Sequence, residues 1–251
     1  MPQATSQAWR LIESGPADMA SHMALDRELF EAFLKDPEAP PLLRIYRVSK
    51  PEVSVGRSRD RHCEPRETGR SNPVLRLLRP FLRKGRLKDS LLVLTPLSIL
   101  ASGLRQAFGL PRNDWTVRPT GGGLVRHGND LIYSVMARRD TFPTFHQVRT
   151  SYLSFHEAVC AAFQKLGIEA RLLRCDEVTR HTGLGECFRD PVATDVLVDG
   201  RKAAGGAQWR RGVNFLHQGS VRLMRGISFE ALKPALIESV ADLFGIVWRP
   251  G

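Results

Sequence analysis

Arg118-Pro-Thr-Gly-Gly-Gly-Leu-Val-Arg-His127 runs through Gly128-Asn-Asp130 into the apolar stretch 131–136. Three consecutive glycines let backbone approach a ligand closely, and the N–H groups of such a run can point at an anion or a carbonyl. A glycine triplet by itself is equally a flexible turn. No Gly-Lys-Ser/Thr follows, so it is not a P-loop, and the G-x-G-x-x-G spacing of a dinucleotide site is absent. Its flanks, 116–118 and 131–136, read as strands.

Working outward, residues 152–166 form an amphipathic helix pattern, with Phe155, Val159 and Phe163 at four-residue spacing and Gly167 as the stop. Strands are predicted at 168–173, 195–199, 202–208 and 214–223, and Asp199-Gly200 is a hairpin signal. Residues 229–244 close the pattern as a helix that Pro234 is expected to break. Upstream, 9–13 reads as a strand. Residues 19–34 read as a helix with Met23, Leu29, Phe30, Phe33 and Leu34 at helical spacing. Strands follow at 42–48 and 52–56. Strands and helices mixed without a strict βαβ repeat predict an α+β fold, a mixed β-sheet with flanking helices. Residues 1–251 are expected to form a single catalytic domain with a basic insertion at about 57–112, in which 97–108 suits a short helix.

The chain has 251 residues, 42% of them hydrophobic, enough for a sizeable core. Its net charge of +11 attracts polyanions or acidic proteins. Between 57 and 89 stand eleven Lys and Arg against four acids. That stretch is either a solvated, partly mobile insertion or a docking surface for an acidic partner. Cys63, Cys160, Cys175 and Cys187 show no C-x-x-C spacing and are too few for a disulfide scaffold, which predicts reduced thiols in a cytoplasmic protein. Residues 1–13 carry no apolar signal region. The most apolar stretch, 91–104, is broken by Pro96 and falls short of the ~20 residues of a membrane span.

Two further motifs carry chemistry. In Gly200-Arg-Lys-Ala-Ala-Gly-Gly-Ala-Gln208 a lysine precedes small residues. Such a lysine either lines a narrow ligand channel, its ammonium facing an acyl carbonyl or phosphate, or sits on a hairpin surface. Glu186-Cys187-Phe188 precedes Pro191. Most lone cysteines are inert core residues, and a reactive thiol needs a cationic neighbour. Lys202 supplies one only if the fold brings the two together. Cys160 falls on the core face of its helix and is read as structural.

The ordered set RPTGGG…H (118–127), CF..PV..D (187–195), GRK.AGGAQ (200–208) and LHQGS (216–220) resembles the biotin/lipoate A/B protein ligase family. So do the opening WRLIESG…MALD (9–26) and RIYRVSKPEVSVG (44–56). The resemblance implies the class II synthetase-like catalytic-domain fold, and within the family it is nearest to the LipM-type octanoyltransferases. It implies Cys187 as the acyl-accepting nucleophile and Lys202 as the family's invariant lysine. Substrate-binding positions are implied at Arg118, Thr120, Gly121, Gly122, Gly123 and His127, and at Gly205, Gly206, Ala207 and His217, with no metal ligand. The implied activity is octanoyl or lipoyl transfer from acyl carrier protein to a lysine of a lipoyl-domain protein, such as glycine cleavage H protein or a 2-oxoacid dehydrogenase subunit. It needs no cofactor. The alternative is a lipoate or biotin ligase that makes an acyl-adenylate with ATP and Mg²⁺. Leu124, Val125 and Val135 are expected walls for the acyl chain. The acidity typical of carrier proteins and lipoyl domains accounts for the positive charge without nucleic acid, and no N-terminal helix-turn-helix precedes the family pattern. A soluble monomer is expected. The chain departs from the pattern at Arg126, in the basic insertion, and at Thr194-Asp195, where relatives often have Tyr before an acid.

Overall fold

Alternation along two strands sets the architecture. In β2 (Leu42–Tyr46), Leu43 and Ile45 join one core while Leu42, Arg44 and Tyr46 face the other side. In β6 (Asp130–Arg138), Leu131, Tyr133, Val135 and Ala137 join the first core, and Ile132, Ser134 and Met136 face the second. Nearly every residue of both strands is buried, so helices must cover both faces. A computed structural model describes residues 7–57, 115–178, 188 and 191–250. The described residues belong to one compact unit. The expected insertion, from residue 58 on, and its short helix at 97–108 lie outside them.

One face is covered by α1 (Met19–Lys35), which places Met19, Met23, Phe30 and Phe33 against β2 and β6. Asp18 caps it, its carboxylate accepting from Ser21 N–H at 2.8 Å, and Glu52 accepts from the first helical N–H, that of Met19. The other face is covered by α2 (Val148–Lys165) and α3 (Phe229–Phe244), which pack against each other. Phe155, Val159 and Phe163 are all buried there, as their spacing predicts, each worth roughly 1.5–3 kcal/mol of burial. Phe145 centres an aromatic cluster with Phe142, Phe155, Phe215 and Phe244.

The main sheet has eight strands. In order they are β11 (Ile246–Pro250), β1 (Gln7–Glu13), β2, β6, β10 (Asn214–Arg222), β9 (Arg201–Arg211), β8 (Val196–Val198) and β7 (Ala170–Leu172). β11, β1 and β2 run parallel and the rest pair antiparallel. A second sheet of three strands has the order β4 (Trp115–Arg118), β3 (Glu52–Gly56), β5 (Leu124–His127), and contacts α1. Asp199 (φ 51°) and Gly200 (φ 70°) form the β8–β9 turn with the two positive φ values that an Asp-Gly hairpin supplies.

Three expectations change. α2 starts at Val148 rather than 152, through a polar first turn without apolar spacing. α3 runs unbroken past Pro234. The lost N–H would have served only the Glu230 carbonyl, and Pro234 lies on the exposed side while Leu232, Ala235, Leu236 and Val240 hold the helix to the core. The chain also continues beyond α3: Gly245 (φ 60°) caps the helix, and β11 pairs with β1 through long-range contacts that no local pattern announces. Among the described residues no helix is long and apolar enough to cross a membrane.

Candidate active site

A bulge decides where Lys202 stands. Val196 pairs with Ala204 but Leu197 with Lys202, so Ala203 is an extra residue in β9. Ala203 and Ala204 both join the core under α2 and α3. Lys202 and Gly205 are thereby thrown onto the opposite face, the one that carries α1. The lysine stem lies over Gly205, where a Cβ would meet Lys202 Cε at 2.7 Å. Asp195 holds the ammonium, Oδ2 to Nζ at 2.6 Å, with both side chains nearly buried (5% and 3% exposed). Removing either partner would leave an uncompensated buried charge. Lys202 is therefore not a lysine on a hairpin surface.

From Gly205 a polar row crosses to the small sheet. Ser220 is its cross-strand neighbour on β10 and donates its hydroxyl to Asp130 Oδ2 at 2.6 Å. The same oxygen accepts from His127 Nδ1 at 2.6 Å, and His127 Nε2 lies 2.9 Å from the Ser54 hydroxyl. Arg118 Nη1 donates to Ser54 Oγ at 3.2 Å, so the Ser54 hydroxyl joins the arginine to the His127 ring. Burial raises the Asp130 carboxyl, but the His127 bond and charge, Ser220 and the Gly128 N–H outweigh it and hold it below the ordinary range. At the His127 end an open cavity of about 420 Å³ is lined by Pro51, Arg126, Gly128, Asn129 and Arg222.

The glycine loop is braced from inside. Arg118, itself buried, donates to Gly121 O at 2.7 and 3.1 Å and to Gly123 O at 2.9 Å. Gly56 must lack a side chain, because a Cβ there would meet the Gly122 and Gly121 carbonyls at 2.2 and 2.3 Å. Thr120, fully buried, donates to Gln218 Oε1 at 2.7 Å and ties the loop to β10. The structure thus gathers Arg118, Thr120, Gly121, Gly122, Gly123, His127, Gly205 and Lys202 around one face. Arg126, unexpected on the family pattern, points outward and is exposed.

His217 stands elsewhere. It lies on the α2 side of the sheet, fully buried, its Nε2 at 3.2 Å from Tyr133 OH and Nδ1 at 3.2 Å from Gln208 Nε2. Burial, then His156 and Arg210, push its pKa far below the usual histidine value. Its ring fills the space over Gly206, and Tyr133 fills that over Gly219. Ala207 is buried on β9. Val135 belongs to the core under α2 and α3, whereas Leu124 and Val125 are buried in β5. Cys187 lies outside the described residues. Its neighbour Phe188 places its ring 5.6 Å from Lys202 Nζ and 4.1 Å from the Arg222 guanidinium. Cys160 is buried, its thiol pushed up to about 12 first by desolvation, in keeping with a structural residue. Cys175 is exposed, and Arg149 donates to its sulfur at 3.0 Å.

Sequence reading missed Ser54, Asp130 and Ser220, which are single polar residues in otherwise ordinary strands. It also missed the corner at 192–195. Thr194 has φ 77°, a strained value for a β-branched residue that costs roughly 1–3 kcal/mol. His156 Nδ1 donates to its carbonyl at 2.6 Å. Among the described residues, no group of three or more His, Cys, Asp or Glu has the arrangement to hold a metal ion.

The profile of the lipoyl protein ligase A/B catalytic domain matches residues 112–239, about half of the chain. An octanoyltransferase LipM of Kyrpidia tusciae is 29% identical over 222 residues, covering 86% of this chain and 66% of its own length. That of Bacillus subtilis is 27% identical with the same coverage. The chain therefore spans slightly less than two thirds of these relatives. Two solved structures share the fold at low identity. The lipoic-acid-bound putative lipoate protein ligase of T. acidophilum has TM-score 0.60 and 18% identity over 98% of this chain and 89% of that one. A lipoate-protein ligase A bound with ATP has TM-score 0.60 and 17% identity over 98% and 88%. The fold is accordingly a shared one, and the chain belongs to the lipoyl protein ligase A/B catalytic-domain family.

Proposed function

We propose that this protein is an acyltransferase of protein lipoylation, moving an octanoyl (or lipoyl) group from acyl carrier protein to a lysine of a lipoyl-domain protein through a thioester on Cys187. The observation that carries the reading is Lys202. It is a nearly buried ammonium clamped by Asp195, on the face that holds the glycine loop, with the ring of Cys187's neighbour Phe188 at 5.6 Å. The similarity to octanoyltransferases LipM supports the same reaction class.

In the first step the Cys187 thiolate attacks the carrier's thioester carbonyl. A new carbon–sulfur bond forms, the old one breaks, and the pantetheine thiolate leaves. In the second step the neutral ε-amine of the acceptor lysine attacks the acyl-enzyme. The amide forms, the Cys187 sulfur leaves, and the proton shed by the amine neutralises it. Negative charge gathers on the carbonyl oxygen in both steps, and Lys202, with glycine-loop N–H groups, stabilises it. The second cation beside Phe188, Arg222, and the positive charge of the chain favour encounter with acidic carrier and acceptor domains. This chemistry needs neither ATP nor metal.

Intact mass after incubation with octanoyl-acyl carrier protein, without ATP, is the test. An added octanoyl group that is absent from Cys187→Ala is expected, and Lys202→Ala is expected to slow its formation by about 10²-fold or more. No adduct, together with lipoyl-domain modification only when free acid and Mg-ATP are supplied, would assign the protein to the adenylate-forming ligases instead.

A further inference from the structure

Behind the site, on the face opposite Lys202, stands a histidine that the reaction above does not use. His156 projects from α2, is 1% exposed, and directs Nδ1 to the Thr194 carbonyl at 2.6 Å. Because a carbonyl only accepts, Nδ1 carries the proton and Nε2 is a bare acceptor. That Nε2 is buried and has no hydrogen-bond partner among the described residues. Burial pushes the ring's pKa down, and the charges of Asp195 and Lys202 reach it from the other face. A buried polar atom left unsatisfied is uncommon and calls for a reason.

The reason lies in what Nδ1 holds. Thr194, at φ 77°, is the one β-branched residue with positive φ among those described. Its N–H donates to Leu173 O at 2.9 Å, and the Asp195 carbonyl accepts from Leu173 N–H at 2.7 Å. The Asp195 N–H turns back to Val192 O at 3.0 Å, and the Val192 N–H binds Asp195 Oδ2 at 2.6 Å, the oxygen that also takes the Lys202 ammonium. The corner therefore sends one residue's carbonyl backward to α2 and the next residue's carboxylate forward to Lys202. Relaxing Thr194 to negative φ would rotate that peptide and withdraw the carboxylate. Strain of this kind persists only where the surroundings over-determine it.

We propose that His156 is a positioning residue for acyl transfer: by pinning the Thr194 carbonyl it keeps the strained corner in place, and through Asp195 it fixes the Lys202 ammonium where the carbonyl oxygen of the acyl group must sit. It touches no reacting atom. The proposal rests on the acyltransferase reading for its kinetic consequence but not for its structural one.

Three variants and two readouts test it. His156→Leu removes the donor together with the unsatisfied Nε2. Its kcat for octanoyl transfer should fall roughly 10–100-fold while KM for the carrier protein stays within about twofold. His156→Asn places an amide N–H where Nδ1 was and should keep kcat within about threefold. In a Thr194→Gly background, where positive φ carries no strain, His156→Leu should cost only a few-fold. The second readout needs no substrate: acetylation of Lys202 in the free protein, followed by peptide mass spectrometry. Loss of the Asp195 clamp should speed it about fivefold or more in His156→Leu and leave it unchanged in His156→Asn. Equal Lys202 labelling in wild type and His156→Leu, or an Asn variant indistinguishable from Leu in both readouts, overturns the proposal. A wild-type protein that transfers no acyl group overturns the reaction assignment instead and leaves the labelling test standing.

Discussion

At the residue scale the largest stake is the last residue of the opening motif, to which the sequence assigned no role. Asp26, fully buried on α1, accepts from Arg44 Nη1 at 2.6 Å, Tyr46 OH at 2.9 Å, Ser134 Oγ at 2.6 Å and Gln218 Nε2 at 2.6 Å. Arg44 is equally buried and also meets His22 Nδ1 at 2.8 Å. Gln218 in turn receives Thr120, so the Asp26 hub reaches the glycine loop through one side chain. Asp26→Ala strands the Arg44 cation, and the expected loss is about 3–5 kcal/mol of unfolding free energy in urea melts. A loss below about 1 kcal/mol would show that the hub carries no such weight. Asp26 stands three residues after Met23 and four before Phe30, on the same helical face, but its chemistry argues against burial there. Polarity predicts exposure, and only the four partners from β2, β6 and β10 reverse it.

At the element scale the glycines of β9 and β10 take on a meaning that spacing does not reveal. Small residues after Lys202 suggest a channel. In the folded sheet Gly205 seats the Lys202 stem, Gly206 seats His217 and Gly219 seats Tyr133, so that antiparallel strands exchange bulk for absence. A Cβ at Gly219 would stand 2.2 Å from the Tyr133 ring, with no flexible atom to yield. Gly219→Ala should cost about 1–3 kcal/mol or more, and combining it with Tyr133→Leu should cost less than the sum of the two. Additive losses across that double-mutant cycle would mean the two positions are independent. The helices were far more legible: the 3.6-residue repeat of Phe155, Val159 and Phe163 is a local property, and it survives intact in α2. The continuity of α3 through Pro234 was not, because it depends on which side of the helix faces solvent.

At the scale of the whole molecule, buried neutral histidines link folding to pH. His156 and His217 are both fully enclosed and both lowered, first by desolvation. A histidine whose folded pKa is depressed contributes stability above its unfolded value of about 6.5 and loses it as pH falls. Below that pH the unfolded chain binds protons that the native state refuses. Unfolding free energy should therefore decline by about 1.4 kcal/mol per pH unit for each of the two as pH drops from about 6.5 toward their folded values. Asp130, also depressed, adds to the loss only near and below pH 4. Urea melts at pH 7.5 and 5.5 check this, and His217→Gln should remove one histidine's share of the slope. A flat profile would contradict the burial of both rings.

Sequence alone determined the family, the α+β class, most element positions and the glycine-loop and lysine motifs that the fold brings to one face. These are properties of order and local spacing, and a glycine run, a lysine before small residues and an Asp-Gly turn keep their character in any fold. Tertiary structure decided which side of the sheet each one faces. A single extra residue, Ala203, turns Lys202 toward Asp195, while unbulged alternation carries His217 to the opposite side. It also decided which polar groups are buried. Asp26 and His156 are held inside by partners distant in the chain, and Asp130 in part by Ser220, and the cost of burying a polar group is met only where those partners arrive.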